Sequence, residues 1–126
     1  MGNELVLKKC MKCGALVKVF KDCTRDNCGI TCCNEQMKVL VPNSVDAAHE
    51  KHVPTYKVYG EKIIVKINHP MDEDHYIEWI ACVNENRERV KYLMPGDVPE
   101  VTFKHIPGST IYAYCNKHGL WKTEVE

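Results

Sequence analysis

Tyr112-Ala113-Tyr114-Cys115-Asn116-Lys117-His118-Gly119 alternates like a β-strand and closes on a turn. The strand delivers a cysteine; two spacer residues later comes a histidine, then a glycine. A thiolate and an imidazole this close, on a turn leaving a strand, can both reach one metal ion. Extended in both directions, the stretch becomes two short strands, 110–115 and 120–125.

The same pattern continues upstream. Residues 55–59 and 62–67 alternate around a tight reversal at Gly60-Glu61. Residues 75–83 read as one long strand, with Tyr76, Glu78, Ile80 and Cys82 on one face and Ile77, Trp79, Ala81 and Val83 on the other. Asn84-Glu85-Asn86 turns it into 87–93, and 100–104 follows the Pro95–Pro99 turn. Seven short strands with polar turns, and no stretch long enough for a core helix, predict an all-β chain whose larger part, 40–126, is a seven-stranded immunoglobulin-like sandwich.

Residues 1–39 have another character. Of eight cysteines, six (10, 13, 23, 28, 32 and 33) fall in this segment. Such clustering fits metal ligation better than a disulfide framework. Cys10-Met11-Lys12-Cys13-Gly14 is a Cys-x2-Cys turn, and Cys32-Cys33 supplies a second pair. Together they predict a four-thiolate site suited to iron or zinc. Neighbouring cysteines on an extended backbone diverge, so this pair should strain the site. Cys23 and Cys28 lie in a polar loop. Cys28 is a possible substitute for one of the later pair; alternatively the two bond to each other or stand by.

Four histidines sit at loop or strand-end positions: His52 before Val53-Pro54, His69 before Pro70, His75 at a strand start and His118 in the turn after Cys115. Ligands converge from such places at one end of a sandwich. His49 and His105 have weaker claims.

Lys and Arg balance Asp and Glu, 17 against 17, so no bulk attraction to nucleic acid or membrane is expected. The start is polar, no apolar run reaches spanning length, and the expected compartment is the cytoplasm. Two other functions compete. A zinc structural or interaction module explains four cysteines but not four histidines with a fifth ligand. A cupredoxin-like, non-catalytic electron carrier suits Cys115-x2-His118 but lacks a downstream methionine.

Glu50-Lys51-His52-Val53-Pro54, His69-Pro70-Met71, His75-Tyr76-Ile77-Glu78-Trp79-Ile80 and Tyr114-Cys115-Asn116-Lys117-His118-Gly119-Leu120-Trp121-Lys122 resemble the superoxide reductases. The four-cysteine segment, with its Cys-Cys pair, resembles the desulforedoxin-like domain of the two-iron members, the desulfoferrodoxins. The resemblance implies a catalytic iron held by His52, His69, His75 and His118 with Cys115 as axial thiolate, and a second iron held by Cys10, Cys13, Cys32 and Cys33. It implies Lys51 beside an open position and Glu50 able to ligate the resting ferric ion. It further implies reduction of superoxide to hydrogen peroxide without dioxygen release, electrons from rubredoxin or a similar carrier, and a homodimer. One departure from the family pattern is visible: the stretch between Cys13 and Cys32 is longer than usual and carries Cys23 and Cys28.

Overall fold

A computed structural model describes residues 4–26 and 28–126. They form two compact units, Leu5–Val41 and a larger one that holds Pro42–Glu126.

The smaller unit has five short strands: β1 (Leu7–Lys9), β2 (Leu16–Lys18), β3 (Thr31–Cys32), β4 (Glu35–Gln36) and β5 (Lys38–Val39). The first, second and fifth make an antiparallel sheet in the order β2-β1-β5, and β3-β4 is a separate hairpin. The Cys-x2-Cys turn joins β1 to β2. Gly14 N–H donates to the Cys10 carbonyl at 2.9 Å, and Cys10 N–H donates to the Ala15 carbonyl at 2.9 Å. Gly14 adopts φ +83° with open space where a Cβ would stand, so backbone conformation rather than room calls for glycine. Among the described residues of this unit, the buried apolar side chains are Leu5, Leu7, Cys10 and Met37. That is too little apolar burial to offset the ordering entropy of the segment, and a cross-link must supply the rest.

The β3-β4 turn revises one expectation. Cys33 and Asn34 both have positive φ, +54° and +63°. This is the signature of a tight type I′ hairpin turn, where Asn and Gly are usual and cysteine is not. Cys32 and Cys33 therefore do not diverge from an extended chain. The left-handed residue swings the second sulfur back, and the two Sγ atoms stand 3.9 Å apart.

The larger unit has seven strands: β6 (Thr55–Tyr59), β7 (Lys62–Lys66), β8 (Ile77–Asn84), β9 (Arg87–Tyr92), β10 (Glu100–Lys104), β11 (Thr110–Cys115) and β12 (Gly119–Glu124). They form two antiparallel sheets, β10-β7-β6 and β12-β11-β8-β9, which is the predicted sandwich. Alternation builds its core. Ile63 and Val65 point inward from β7, opposite Phe103 and Val101 of β10. Ile80 and Cys82 of β8 do the same opposite Ala113 and Ile111 of β11. The central strand β11 is buried along its whole length.

Strict alternation fails at one point. Tyr114 lies opposite Trp79, but Cys115 lies opposite Ile77, so Glu78 is an extra residue on β8. This β-bulge rotates Ile77 into the core with Ile80 and Cys82, whereas simple alternation placed it on the Trp79 face. On the β9 side of β8, the Glu78 carbonyl accepts the Leu93 N–H at 2.9 Å. Upstream of the bulge β8 ends, and His75 pairs with Asp72 in an isolated bridge.

The segment before β6 runs along β12. Asn43, at φ +59°, donates its N–H to the Leu120 carbonyl at 3.0 Å. Its side chain clasps Lys122, with Nδ2 donating to the carbonyl at 3.2 Å and Oδ1 accepting the N–H at 2.8 Å. A 3-10 turn, His49–Lys51, then leads into His52.

Candidate metal centres

Two clusters of ligand-type side chains result. His52, His69, His75, Cys115 and His118 form one; Cys10, Cys13, Cys32 and Cys33 form the other. In each, one ligand atom per residue lies within 4.8 Å of all the others.

The four imidazoles of the first cluster close a ring. Neighbouring centroids are 4.8 Å (His52–His69), 4.6 Å (His69–His75), 5.0 Å (His75–His118) and 4.8 Å (His118–His52) apart. The His52–His75 diagonal is 6.5 Å. Cys115 Sγ lies 3.4 Å from His69 Nε2 and 3.8 Å from His118 Nδ1. Four separate elements supply these groups: the 3-10 turn, the chain after β7, the segment before the bulge, and the β11-β12 turn.

Local hydrogen bonds aim the rings. His52 Nδ1–H donates to the Ala48 carbonyl at 2.7 Å, and His69 Nδ1–H donates to the Pro70 carbonyl at 2.6 Å. Each is thereby fixed in the tautomer whose Nε2 lone pair faces the cluster. His52 Nε2 approaches His118 Nδ1 to 3.0 Å. His52 also stacks on the fully buried Trp121, with centroids 4.8 Å apart, and Trp121 Nε1–H donates to the His118 carbonyl at 3.1 Å. Trp121 is thus a wall of the site. Trp79 belongs elsewhere, stacked on Tyr114 at 5.7 Å.

Burial sets the charge states. It pushes the His69 pKa down to about 4 and lowers that of His52, against the pull of their carbonyl partners. Both rings are neutral ligands at neutral pH. Burial raises the Cys115 thiol, while the backbone N–H groups of Lys117 and His118 oppose it. The Asn116 N–H goes instead to the Tyr76 carbonyl at 3.2 Å.

The set fits a metal ion. The buried Nε2 of His75 has no hydrogen-bond partner, and two imidazole lone pairs and a buried sulfur converge beside it. Those groups are poorly matched to one another and well matched to a cation that accepts all of them.

Read from the sequence, Asn116 offers only its backbone N–H as a candidate donor to Cys115, yet its side chain joins two ligand-bearing segments. Its Oδ1 accepts the Tyr76 N–H at 2.9 Å, and its Nδ2 donates to the Asp74 carbonyl at 3.0 Å. It therefore ties the chain on both sides of His75 to the Cys115–His118 turn. The only trace in the sequence was its place inside the Cys-x2-His spacer.

Glu50 and Lys51 are exposed on the turn that precedes His52. His49 stands edge-on to Trp121 at 5.1 Å, and His105 lies in the loop after β10; neither joins the cluster.

In the second cluster, Cys13 N–H points at Cys10 Sγ at 3.4 Å, and Cys13 Sγ and Cys32 Sγ are 3.6 Å apart. The backbone N–H groups of Cys13 and Lys12 pull the Cys10 pKa down to about 6. Hydrogen bonding with Cys13 and Cys10 pushes Cys32 up to about 12, and Cys33 is raised in the same way. Cys10 is thus the first thiolate, and a cation is needed to draw protons from the others. Cys28, a possible substitute by sequence, lies outside this cluster. Its sulfur is bonded to that of Cys23, and a disulfide sulfur has no thiolate to offer.

Among the described residues no helix is long and apolar enough to cross a membrane. The desulfoferrodoxin family model matches residues 44–124. The chain is 40% identical to a desulfoferrodoxin from Syntrophotalea carbinolica, with 98% of this chain and 99% of that one covered. Among solved structures it is similar to the superoxide reductase from Treponema pallidum, at a TM-score of 0.70 and 29% identity over 95% of this chain and 98% of that one. A superoxide reductase from Giardia intestinalis matches at a TM-score of 0.54 and 29% identity, over 61% of this chain and 98% of that one. With its paired four-thiol and four-imidazole clusters, the chain belongs to the desulfoferrodoxin family.

Proposed function

We propose that this protein is a superoxide reductase. The observation that carries the proposal is the convergence of four imidazoles and one thiol, with His52, His69 and Cys115 buried and no carboxylate among them. His52, His69, His75, His118 and Cys115 would hold iron, and bound ferrous iron would supply the single electron that superoxide accepts. The protein's own part is to keep the donor set neutral apart from one thiolate, so that the site stays attractive to an anion. His52 and His69 are locked by carbonyls, Trp121 walls one side, and the Lys117 and His118 N–H groups temper the donor strength of Cys115.

Lys51 is assigned the task of drawing superoxide in and holding water for proton delivery. Glu50 is assigned the closing of the site at rest. Their exposure on the turn that carries His52 supports both roles. Cys10, Cys13, Cys32 and Cys33 would bind a second iron. Four thiolates fill a tetrahedral ion, so this would be a one-electron centre rather than a second reaction site. On this reading each chain holds two irons, with a desulforedoxin-like domain at 1–39 and the catalytic domain at 40–126. The donor is a rubredoxin-like carrier, the assembly is a homodimer, and the compartment is the cytoplasm. A thin core and an exposed Phe20 in the small unit favour a second copy, and six free cysteines suit a reducing compartment.

The test is metal analysis of anaerobically purified protein, followed by pulsed superoxide with peroxide and dioxygen both measured. One peroxide per superoxide with no dioxygen supports reduction. One peroxide per two superoxides, with dioxygen released, means dismutation. Zinc in both sites would hand the lead to the structural-module reading.

A further inference from the structure

Cys23 and Cys28 are the two exposed cysteines that neither cluster uses. Of the others, Cys82 and Cys115 are buried and four line the thiol cluster. Cys23 and Cys28 are exposed, bonded to each other, and only five positions apart. A ring this short constrains the unfolded chain least among disulfides, so it is a poor structural staple.

The surroundings permit the bond to open. On one side, Asp22 Oδ1 accepts the Cys23 N–H at 2.8 Å and the Lys8 ammonium at 3.1 Å. On the other, Met37 N–H donates to the Ile30 carbonyl at 2.8 Å. Neither anchor depends on the sulfur–sulfur bond, and among the described residues none from 19–26 or 28–30 lies in a strand. The Arg25 carbonyl lies 2.7 Å from Cys28 Sγ and offers the freed thiol an acceptor.

We propose that Cys23 and Cys28 are a reversible dithiol–disulfide couple, closed by hydrogen peroxide and opened by a dithiol reductant protein, on the chain that links the two halves of the four-thiol cluster. On closing, the two thiols lose two electrons and two protons, the S–S bond forms, the O–O bond of peroxide breaks, and two waters leave. On opening, a thiolate of the reductant attacks one sulfur. Its second thiol then resolves the mixed disulfide, leaving a disulfide on the reductant and two protonated cysteines here, one proton coming from that thiol and one from solvent. In the closed state Cys28 cannot compete for the metal of its neighbours; in the open state it can. The proposal rests on the proposed function for the origin of its peroxide and for the reducing compartment. An exposed disulfide in a reducing compartment is characteristically of this exchangeable kind.

The experiment uses the full chain with its metals. The protein is equilibrated in mixtures of reduced and oxidised dithiothreitol, alkylated and mapped by mass. Cys23 and Cys28 should go together from mostly blocked to mostly alkylated over about a hundredfold change in the reductant ratio, as one two-electron exchange requires. Metal content and far-ultraviolet dichroism should stay constant, and added peroxide should close the bond again. A Cys23→Ser variant should leave Cys28 alkylatable at every ratio, with metal content and superoxide consumption within about twofold. The proposal is overturned if Cys23 and Cys28 are already alkylated in oxidised protein. It also falls if they open only as metal and sheet are lost, or if peroxide does not close them. None of the three overturning results is read with superoxide, so failure here and failure of the reductase reading are separable.

Discussion

Replacing Asn116 by alanine should weaken the histidine-cysteine site more than it weakens the fold. The side chain makes two hydrogen bonds to backbone some forty residues away, one on each side of His75. Each is half-exposed or less protected, so together they stabilise the sandwich by about 1–2 kcal/mol. Their larger effect is positional. Without them, the Asp74–Tyr76 segment is held near the Cys115–His118 turn by the backbone bond from Asn116 N–H to the Tyr76 carbonyl and by an exposed Lys117–Asp74 ion pair at 3.9 Å. Groups that orient metal ligands typically contribute about 10–100-fold in affinity, or about 1.4–2.8 kcal/mol. The assay is competition for iron against a calibrated chelator, read from the thiolate band, beside urea unfolding of the metal-free protein. Asn116→Ala should lose about tenfold or more in affinity. Asn116→Asp keeps the acceptor for Tyr76 N–H, loses the donor to the Asp74 carbonyl, and should fall between. An affinity unchanged within threefold, in a variant destabilised as expected, would refute the reasoning: Asn116 would then be a brace for the loop and not for the site.

Four further outcomes are expected. Asn43→Ala should cost about 2–3 kcal/mol in urea unfolding, from two lost hydrogen bonds to Lys122 and a left-handed backbone that alanine resists; Asn43→Gly should recover about 1 kcal/mol of it. In metal-free protein His69 is held neutral by burial, with its pKa lowered from about 6.5 to about 4. Its contribution is therefore complete above about pH 6.5 and is lost as pH falls toward 4. Stability should drop by about 2 kcal/mol from pH 7 to pH 5, and His69→Gln should abolish most of that slope. Lys51→Ala should slow superoxide capture severalfold at low ionic strength and much less at high salt; an equal rate at low salt would dismiss its steering role. Stripping metal from the thiol cluster should unfold Leu5–Val41 while β11 keeps its slow amide exchange, since the small unit buries so few apolar side chains.

Where side chains alternate without interruption, the chain could be read directly. Ile63 and Val65 in β7, and the run into Cys115 in β11, announced strands and their inward faces. The site was legible because imidazoles and thiols placed at strand ends have few structural uses, and position in the chain set His52, His69, His75 and His118 apart from His49 and His105. Three features were hidden for physical reasons. The bulge at Glu78 follows from register with β11, which is a property of two strands and not of one. The left-handed Cys33 is imposed by the hairpin turn against the residue's own preference. The bracing by Asn116 joins residues far apart in the chain, and a spacer asparagine has no local mark of such a task.

The extra residue in β8 also separates two kinds of inheritance within one strand. From Ile80 onward, the strand's phase is set by the core it must fill. Before Glu78 the phase is reversed, and the ligand-bearing end answers to Asp72 and Asn116 instead. Substitutions that repack the core can therefore accumulate on one side without turning His75. Deleting Glu78 would restore a perfect alternation and still leave Ile77 opposite Cys115, so the bulge is a splice that carries the ladder past one surplus residue without breaking the ladder's own phase.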